Sequence, residues 1–412
     1  MGGMLQGLRI VEHGAFIAGP FSTMSLARLG AQVIRIDPLQ GGIDHTRWPV
    51  TATGRSLYWA GFNKGKKSVR LNLRSTEGQE LAQRIATAPG EDAGLFVSNL
   101  PAKGWMDHAG LKALRDDLIM ISIVGSRDGS TAIDYTVNSA AGFPMATGPE
   151  HLTSPVNHVL PAWDLLCGMT AATALLAAER YRSRTGRGQL MRIALADVAF
   201  AAVGDLGLIG EVELNGAGRE RNGNDVYGAF GRDFETADGR FVMVAAVSQG
   251  QWAALCKATG IEASIAAYEA AHGIDLMSDT ARFEARGAIA AMLEPRFRKQ
   301  TLGEVRQVLD AHRVCWGPYQ TFEQLVSEDP RCSPENPLFE SVEHPGIGKM
   351  LTALSPIDVV DAATNVGACI TPLLGQHTDE VLTELLGMSA GELGRLHDQR
   401  IVAGPVSAGV GG

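Results

Sequence analysis

The sequence predicts an α/β protein: a doubly wound, Rossmann-like large domain combined with a small α+β domain. Three observations carry this. Short apolar runs alternate with helical periods from residue 7 to 194, the pattern of a parallel sheet with helical crossovers. A polar Gly/Asn-rich tract, Asn215–Asp225, then interrupts the chain, and beyond it a hairpin pattern gives way to helices. The 412 residues also exceed what a single hydrophobic core usually holds, so two domains are expected.

"GLRIVEHG" reads as the first strand, "GPFSTMSLARLG" as a helix and "AQVIRID" as the second strand. Pro20 suits a first helical turn and Gly30 the position past a last one. "STEGQELAQRIATAPG" follows as a helix, with Thr76 and Gln79 at capping-box spacing. "AGLFVSNL" and "LIMISIVG" are strands flanking the short helix "LKALRDD". A long helix is expected within "HVLPAWDLLCGMTAATALLAAER", closed by the glycine turn of "RSRTGRGQ" and followed by the strand "LMRIAL". "GAFGRDFETADGRFVMVAAV" reads as a hairpin across Asp238-Gly239. Helices fill "ARFEARGAIAAMLEPRFRKQTLGEVRQVLDAH" and "TDEVLTELLGMSAGELGRLHD".

Composition narrows the function. The net charge of -9 argues against a nucleic-acid binder, which carries a basic surplus. The start "MGGMLQGLRIVEHG" has no basic region before an apolar core, so no signal peptide is expected. The longest apolar run, Leu165–Ala178, is shorter than a membrane span requires. A cytoplasmic protein with no membrane partner is the expectation. The five cysteines are scattered and form no Cys-x-x-Cys pair, and the histidines lack metal-ligand spacing, so neither disulfides nor a metal is expected. "HGAFIAGP" follows the first strand without Gly-x-Gly-x-x-Gly spacing, which gives little support to a dinucleotide cofactor.

Asp164 is the residue that draws chemical attention: an acid between Trp163 and a long apolar stretch. At a helix start an acid serves as an N-cap and suits the positive end of the dipole. The same helix amides could hold the carboxylate ionised and stabilise a developing oxyanion, as an acyl-transfer nucleophile requires. "NKGKKSVRLNLR" gathers Lys64, Lys66, Lys67 and Arg70, either a solvated basic loop before a strand or a phosphate clamp.

Six segments, in order along the chain, resemble the family III CoA-transferases: "LQGLRIVEHGAFIAGPFSTMSLARLGAQVIRIDP", "NKGKKSVRLNLRSTEGQEL", "GLFVSNLPAKGW", "IDYTVNSAAGFPMATG", "RTGRGQLMRIALAD" and "LLGQHTDEVLTELLGMSAGELGRL". The resemblance implies a large α/β domain built from both chain ends (1–210 and 330–412), a small α+β domain at 225–325, and an interlocked homodimer. It implies Asp164, followed by Gly168, as the group that attacks a CoA thioester. CoA contacts would fall at Ile17, Pro38, Phe62, Lys66, Asn99 and Leu100, with Lys103 or His108 as compensating groups. Ile17, Pro38 and Leu100 depart from the Gln, Arg and Phe found in other members. Racemases of the family carry His where this chain has Ile133, so proton transfer at the α-carbon is not expected.

Further segments, among them "DPLQGGIDHTRWPV" and "VNHVLPAWD", resemble members that move CoA between the C1 and C4 carboxylates of one mesaconate. The resemblance implies intramolecular transfer through an Asp-linked anhydride and an enzyme-CoA thioester. CoA is then part of an acyl-CoA substrate, and no cofactor is needed. Intermolecular transfer to a separate acid is the alternative; CoA binding without turnover is disfavoured by the retained Asp164. His13, Arg47, Trp48, His158 and Trp163 are candidates to line the acyl pocket. For the tryptophans the bland role is packing, and for the histidines it is satisfaction of buried polar groups.

Overall fold

The computed structural model describes residues 3–360 and 366–406. Among these, the chain divides into two compact units, one of Met1–Ala141, Val159–Gly207 and Pro330–Gly412, the other of Gly142–His158 and Leu208–Asp329. The second unit thus begins at 208, ahead of the polar tract, and also takes in 142–158.

The first unit is built on β1 (Arg9–Glu12), β2 (Gln32–Pro38), β3 (Lys66–Leu71), β4 (Leu95–Ser98), β5 (Ile119–Val124) and β6 (Gln189–Ala194). Its helices are α1 (Ala18–Ala27), α2 (Leu57–Phe62), α3 (Thr76–Ala86), α4 (His108–Leu114), α5 (Asp134–Ala140), and, after α6 (Phe143–Ala146) in the second unit, α7 (Ala162–Thr185) and α8 (Leu195–Asp205). The six strands are parallel in the order 3-2-1-4-5-6, the order of a doubly wound fold.

The sheet's two faces differ. On one, Val11, Ile34, Ile36, Val69, Leu71, Phe96 and Met120 form an apolar layer with Leu81 and Ile85 of α3 and Leu111 of α4. Burial of this layer follows from period-2 alternation in strands that are covered on both sides. The opposite face carries Ile10, Val33 and Leu95, and also Glu12, Arg35, Asp37 and Lys66, all buried. Helix α7 lies against α1, and Gly168 permits it: a Cβ there would meet the carbonyl oxygen of Ala18 at 2.9 Å. The αL residue Gly186 closes α7.

Helix α3 begins one residue earlier than its capping-box spacing suggests. Ser75 is the cap, its hydroxyl accepting from Gly78, while Gln79 donates to the Leu73 carbonyl instead of reaching back.

The second unit holds α9 (Leu208–Asn215) and an antiparallel sheet of β7 (Phe230–Glu235), β8 (Phe241–Ala246) and β9 (Cys315–Pro318), with α10 (Gln249–Thr259), α11 (Glu262–His272), α12 (Asp279–Glu284), α13 (Arg286–Phe297), α14 (Leu302–Ala311) and α15 (Phe322–Glu328). Phe230, Phe234, Trp252, Leu255, Leu293 and Phe297 are among its core residues. The hairpin turn spans five residues, closed where the Thr236 amide donates to the Arg240 carbonyl, with Gly239 at φ +71°.

The chain then re-enters the first unit with the hairpin β10 (Phe339–His344) and β11 (Gly348–Ala353), helices α16 (Thr378–Leu386) and α17 (Ala390–Asp398), and the edge strand β12 (Val402–Ala403), antiparallel to β3.

Candidate active site

β1 and β4 are neighbours whose connections leave in opposite directions, so a crevice opens at their C-terminal ends. A cavity of about 570 Å³ lies there, within the range of small-molecule sites. Phe16, Ile17 and Ala18 line it from the segment after β1, Asn99 and Leu100 from the end of β4, and Ile123–Gly125 from the end of β5. Residues 132–135, Val159, Pro161, Asp164 and Leu195, with Arg47, Trp48 and Tyr58, complete the lining. All belong to the first unit.

The segment after β1 is held by polar clamps. Asn99 Oδ1 accepts the Ala15 amide at 2.9 Å and Asn99 Nδ2 donates to the Ala15 carbonyl at 2.6 Å. Gly14 makes room for this, since a Cβ would stand 2.8 Å from Asn99 Oδ1. Phe16, at φ +62°, is costly backbone for an aromatic residue. Asp44 Oδ2 accepts its amide at 3.0 Å.

Asp44 connects this segment to a buried charge cluster. Arg35 contacts Glu12 at 2.8 Å, Asp37 at 2.9 Å and Asp44 at 3.5 Å. Lys66 Nζ donates to Glu12 at 2.7 Å, to Asn63 Oδ1 at 2.9 Å and to the Pro20 carbonyl at 2.9 Å. Thr23 donates to Glu12 as well. Burial opposes Glu12's charge, but Lys66 and Arg35 outweigh it and hold the carboxyl below its usual range. Burial pulls the Lys66 ammonium down to about 8, with Glu12 opposing that shift.

Asp164 is the third residue of α7 and lines the cavity. It is not the N-cap. That position is Pro161, and the capping carboxylate is Asp134 of α5, whose Oδ2 accepts the amides of Trp163 at 2.8 Å and Asp164 at 3.1 Å. The other first-turn amides are also engaged, Ala162 with the Leu160 carbonyl and Leu165 with that of Pro161. The α7 amides therefore neither hold Asp164's own carboxylate nor remain for an oxyanion. Among the described residues no protein group donates to that carboxylate. Burial, and then the neighbouring Asp134, push its pKa up to about 6.

The remaining candidates divide. Ile17, Asn99, Leu100 and Arg47 line the cavity. Arg47 lies over the rings of Phe16 and Tyr58, 5.4 and 5.2 Å from their centroids. Trp48 is 79% exposed and lines the cavity as well, so it is not a packing residue. Trp163 is one, with its indole N–H donating to Asn138.

Lys66 lies in β3 with its ammonium enclosed by Glu12, Asn63 and Pro20, outside the cavity lining. His13 is buried, its Nδ1 2.8 Å from the Ile36 carbonyl and its ring against Trp105; it does not line the cavity. Phe62 packs edge-on to Phe21 and Tyr58. Pro38 sits within the β2–β3 register opposite Leu71. Neither they nor Lys103, which is exposed before a short 3-10 turn, reach the lining. His158 falls in the second unit, and the lining resumes one residue later at Val159.

Asp134, Tyr58 and Asp44 carry roles that no local pattern announced. The acid in "IDYTVN" has only the signature of a helix start, and its partner lies thirty residues away.

The sequence profile of CoA-transferase family III matches residues 5–378. The chain is 52% identical to the 2-methylfumaryl-CoA isomerase of Chloroflexus aurantiacus, over 98% of this chain and 99% of that protein. It is 30% identical to the succinyl-CoA:mesaconate CoA-transferase of Haloarcula marismortui, over 93% and 96% of the two chains. The crystal structure of a CAIB/BAIF family protein from Brucella suis superposes with a TM-score of 0.75 at 24% identity, covering 93% of this chain and all of that one; it supports the fold.

Proposed function

This chain belongs to CoA-transferase family III, and from that premise we propose that it moves CoA between the C1 and C4 carboxylates of one 2-methylfumarate (mesaconate) unit. The observation that carries the reading is Asp164: a carboxylate lining a mostly apolar cavity, with no hydrogen-bond donor among the described residues and a raised pKa. The 52% identity to a 2-methylfumaryl-CoA isomerase supports the substrate.

Asp164 attacks the thioester carbonyl, the C–S bond breaks, and CoA leaves as thiolate. The thiolate then opens the mixed anhydride at the Asp164 carbon, giving an aspartyl-CoA thioester and a free dicarboxylate. The dicarboxylate's other carboxylate attacks that thioester and expels the thiolate. A final thiolate attack on the substrate acyl carbon forms the product and frees Asp164. Each step exchanges one acyl–oxygen or acyl–sulfur bond for another, without oxidant, water or bound cofactor. Arg47 is the cation placed to hold the free carboxylate while the acyl group turns. The aromatic and aliphatic walls disfavour water, which would hydrolyse the anhydride.

Ile133 lines the cavity, and among the described residues no histidine, lysine or cysteine does. That lining suits acyl transfer better than proton transfer at the α-carbon. We also read the protein as an interlocked homodimer. Leu166 and Met169 of α7 and Phe200 of α8 are exposed apolar side chains of the kind a partner copy covers. Five unpaired cysteines suit a reducing cytoplasm.

The test is to incubate mesaconyl-C1-CoA with the protein and labelled free mesaconate. Conversion to the C4 ester without label in the ester supports intramolecular transfer. Label entering at the rate of conversion would move the assignment to an intermolecular transferase.

A further inference from the structure

Helix α7 presents the nucleophile in its first turn, where unsatisfied amides would leave the geometry loose. Its own N-cap residue, Pro161, supplies no side-chain cap. The cap comes from α5, where Asp134 is 3% exposed. One turn along the same helix, Asn138 accepts the indole N–H of Trp163 at 3.1 Å. Asp134 and Asn138, at i and i+4 on one face, thus grip both backbone and side chain immediately before Asp164. The second oxygen of Asp134, Oδ1, is buried and has no hydrogen-bond partner, so the carboxylate is committed to α7 through Oδ2 alone.

From this geometry we propose that Asp134 is the positioning residue for Asp164, fixing the nucleophile's direction through the α7 amides and setting a second carboxylate beside it. The inference rests on Asp164 as nucleophile and deepens that reading. A pure cap could have been a neutral Ser, Thr or Asn; an acid adds charge next to a group that must itself ionise. The other titratable groups around Asp164 are Tyr58 from α2, with Arg47 beside it, and Cys167 one turn along α7. Burial acts with Asp134 to raise Asp164 to about 6. The consequence is a more basic carboxylate, and hence a stronger nucleophile toward the thioester, still ionised at neutral pH.

Two variants separate the effects. Asp134→Asn retains an oxygen that can accept both amides and removes the charge. Asp134→Ala removes both. With Asp134→Asn the acid limb of kcat/KM should move down by about one pH unit, with melting temperature near wild type. With Asp134→Ala, kcat should fall by about 10²-fold with KM little changed, because the nucleophile is misplaced.

A readout independent of turnover is carbodiimide labelling of Asp164, followed by peptide mass spectrometry from pH 4 to 8. The midpoint should lie near 6 in the wild type and lower in Asp134→Asn. If the labelling midpoint and the rate profile of Asp134→Asn both overlay the wild type, the charge role is overturned. If Asp134→Ala keeps its kcat, the positioning role is overturned. Should Asp134→Ala fail to fold, Asp134→Glu, which keeps the charge and displaces the acceptor from the two α7 amides, decides the positioning role by the same kcat comparison. Full transfer by Asp164→Ala would instead sink the nucleophile assignment, and the labelling comparison would still decide whether Asp134 sets that carboxyl's ionisation.

Discussion

The charge cluster beneath β1–β3 and the cavity beside α7 both take carboxylates out of water, with opposite results. Glu12 is enclosed by Lys66, Arg35 and Thr23 and is held below its usual pKa. Asp164 has no donor among the described residues, feels the charge of Asp134, and is pushed up to about 6. Burial disfavours both charges; partners decide the outcome. A buried acid held by two cations and a hydroxyl has little capacity left for an electrophile. One left without donors retains its basicity and its access. The cluster serves the site at one remove: Asp44 belongs to it and also accepts the Phe16 amide at the cavity wall.

The contrast breaks most sharply at Asp164. Asp164→Ala should lower transfer at least about 10³-fold with the fold unchanged, measured by conversion of the C1 to the C4 ester. Hydroxylamine trapping should release an Asp164-derived hydroxamate from the wild type only. Substantial residual activity, or trapping elsewhere, would end the comparison.

Next comes the cluster. Lys66→Met leaves Glu12, Asp37 and Asp44 with Arg35 as their remaining cation. Removing one partner of a buried pair costs about 3–5 kcal/mol. Urea unfolding should show that loss. A phosphate-binding lysine would behave otherwise, raising KM for the CoA ester and leaving stability near wild type. Arg47→Ala should have a smaller effect, raising KM by about ten- to a hundredfold as a charge-assisted bond of about 1.5–3 kcal/mol to the free carboxylate is lost. Unchanged kinetics would remove Arg47 from the pocket.

Much of this arrangement was legible in the sequence. Strand and helix periods placed the sheet, and Asp164 stood out as an acid at the start of a long helix. Lys66 is instructive, because the signal for its place in a strand is in "KKSVRL". In a strand, Lys66 and Lys67 point to opposite faces. Lys66 turns inward to Glu12, whereas Lys67 turns to Glu380 and Glu384 of α16. A charge run read as a loop hides that alternation. Asp134 was not legible: its role depends on α5 meeting α7 in space, and a helix capped from another helix leaves no mark in its own first turn. Pro38, Phe62 and His13 lie outside the cavity lining. Pro38 is engaged in the β2–β3 register, Phe62 packs on Phe21 and Tyr58, and His13 on the Ile36 carbonyl and Trp105, contacts made across elements that no local pattern shows.

The smallest effect follows from Asp164 itself, and its sign opposes its catalytic importance. An acid whose pKa is higher in the folded chain than in the unfolded one binds its proton more tightly when folded. Its stabilising contribution is full below the unfolded value, about 3.9, and is lost as pH rises through the folded value of about 6. Above that, the ionised carboxylate sits half-buried beside Asp134 and works against folding. Asp164→Asn removes that charge while nearly preserving shape. It should therefore be more stable than the wild type at pH 7.5, by about 1–2 kcal/mol, and show no such gain at pH 4, where the carboxyl is already neutral. Thermal unfolding at the two pH values measures the difference. An equal shift at both would mean that the asparagine merely packs better; a loss at pH 7.5 would mean that the carboxylate has a stabilising partner, which would return Asp164 to the company of Glu12.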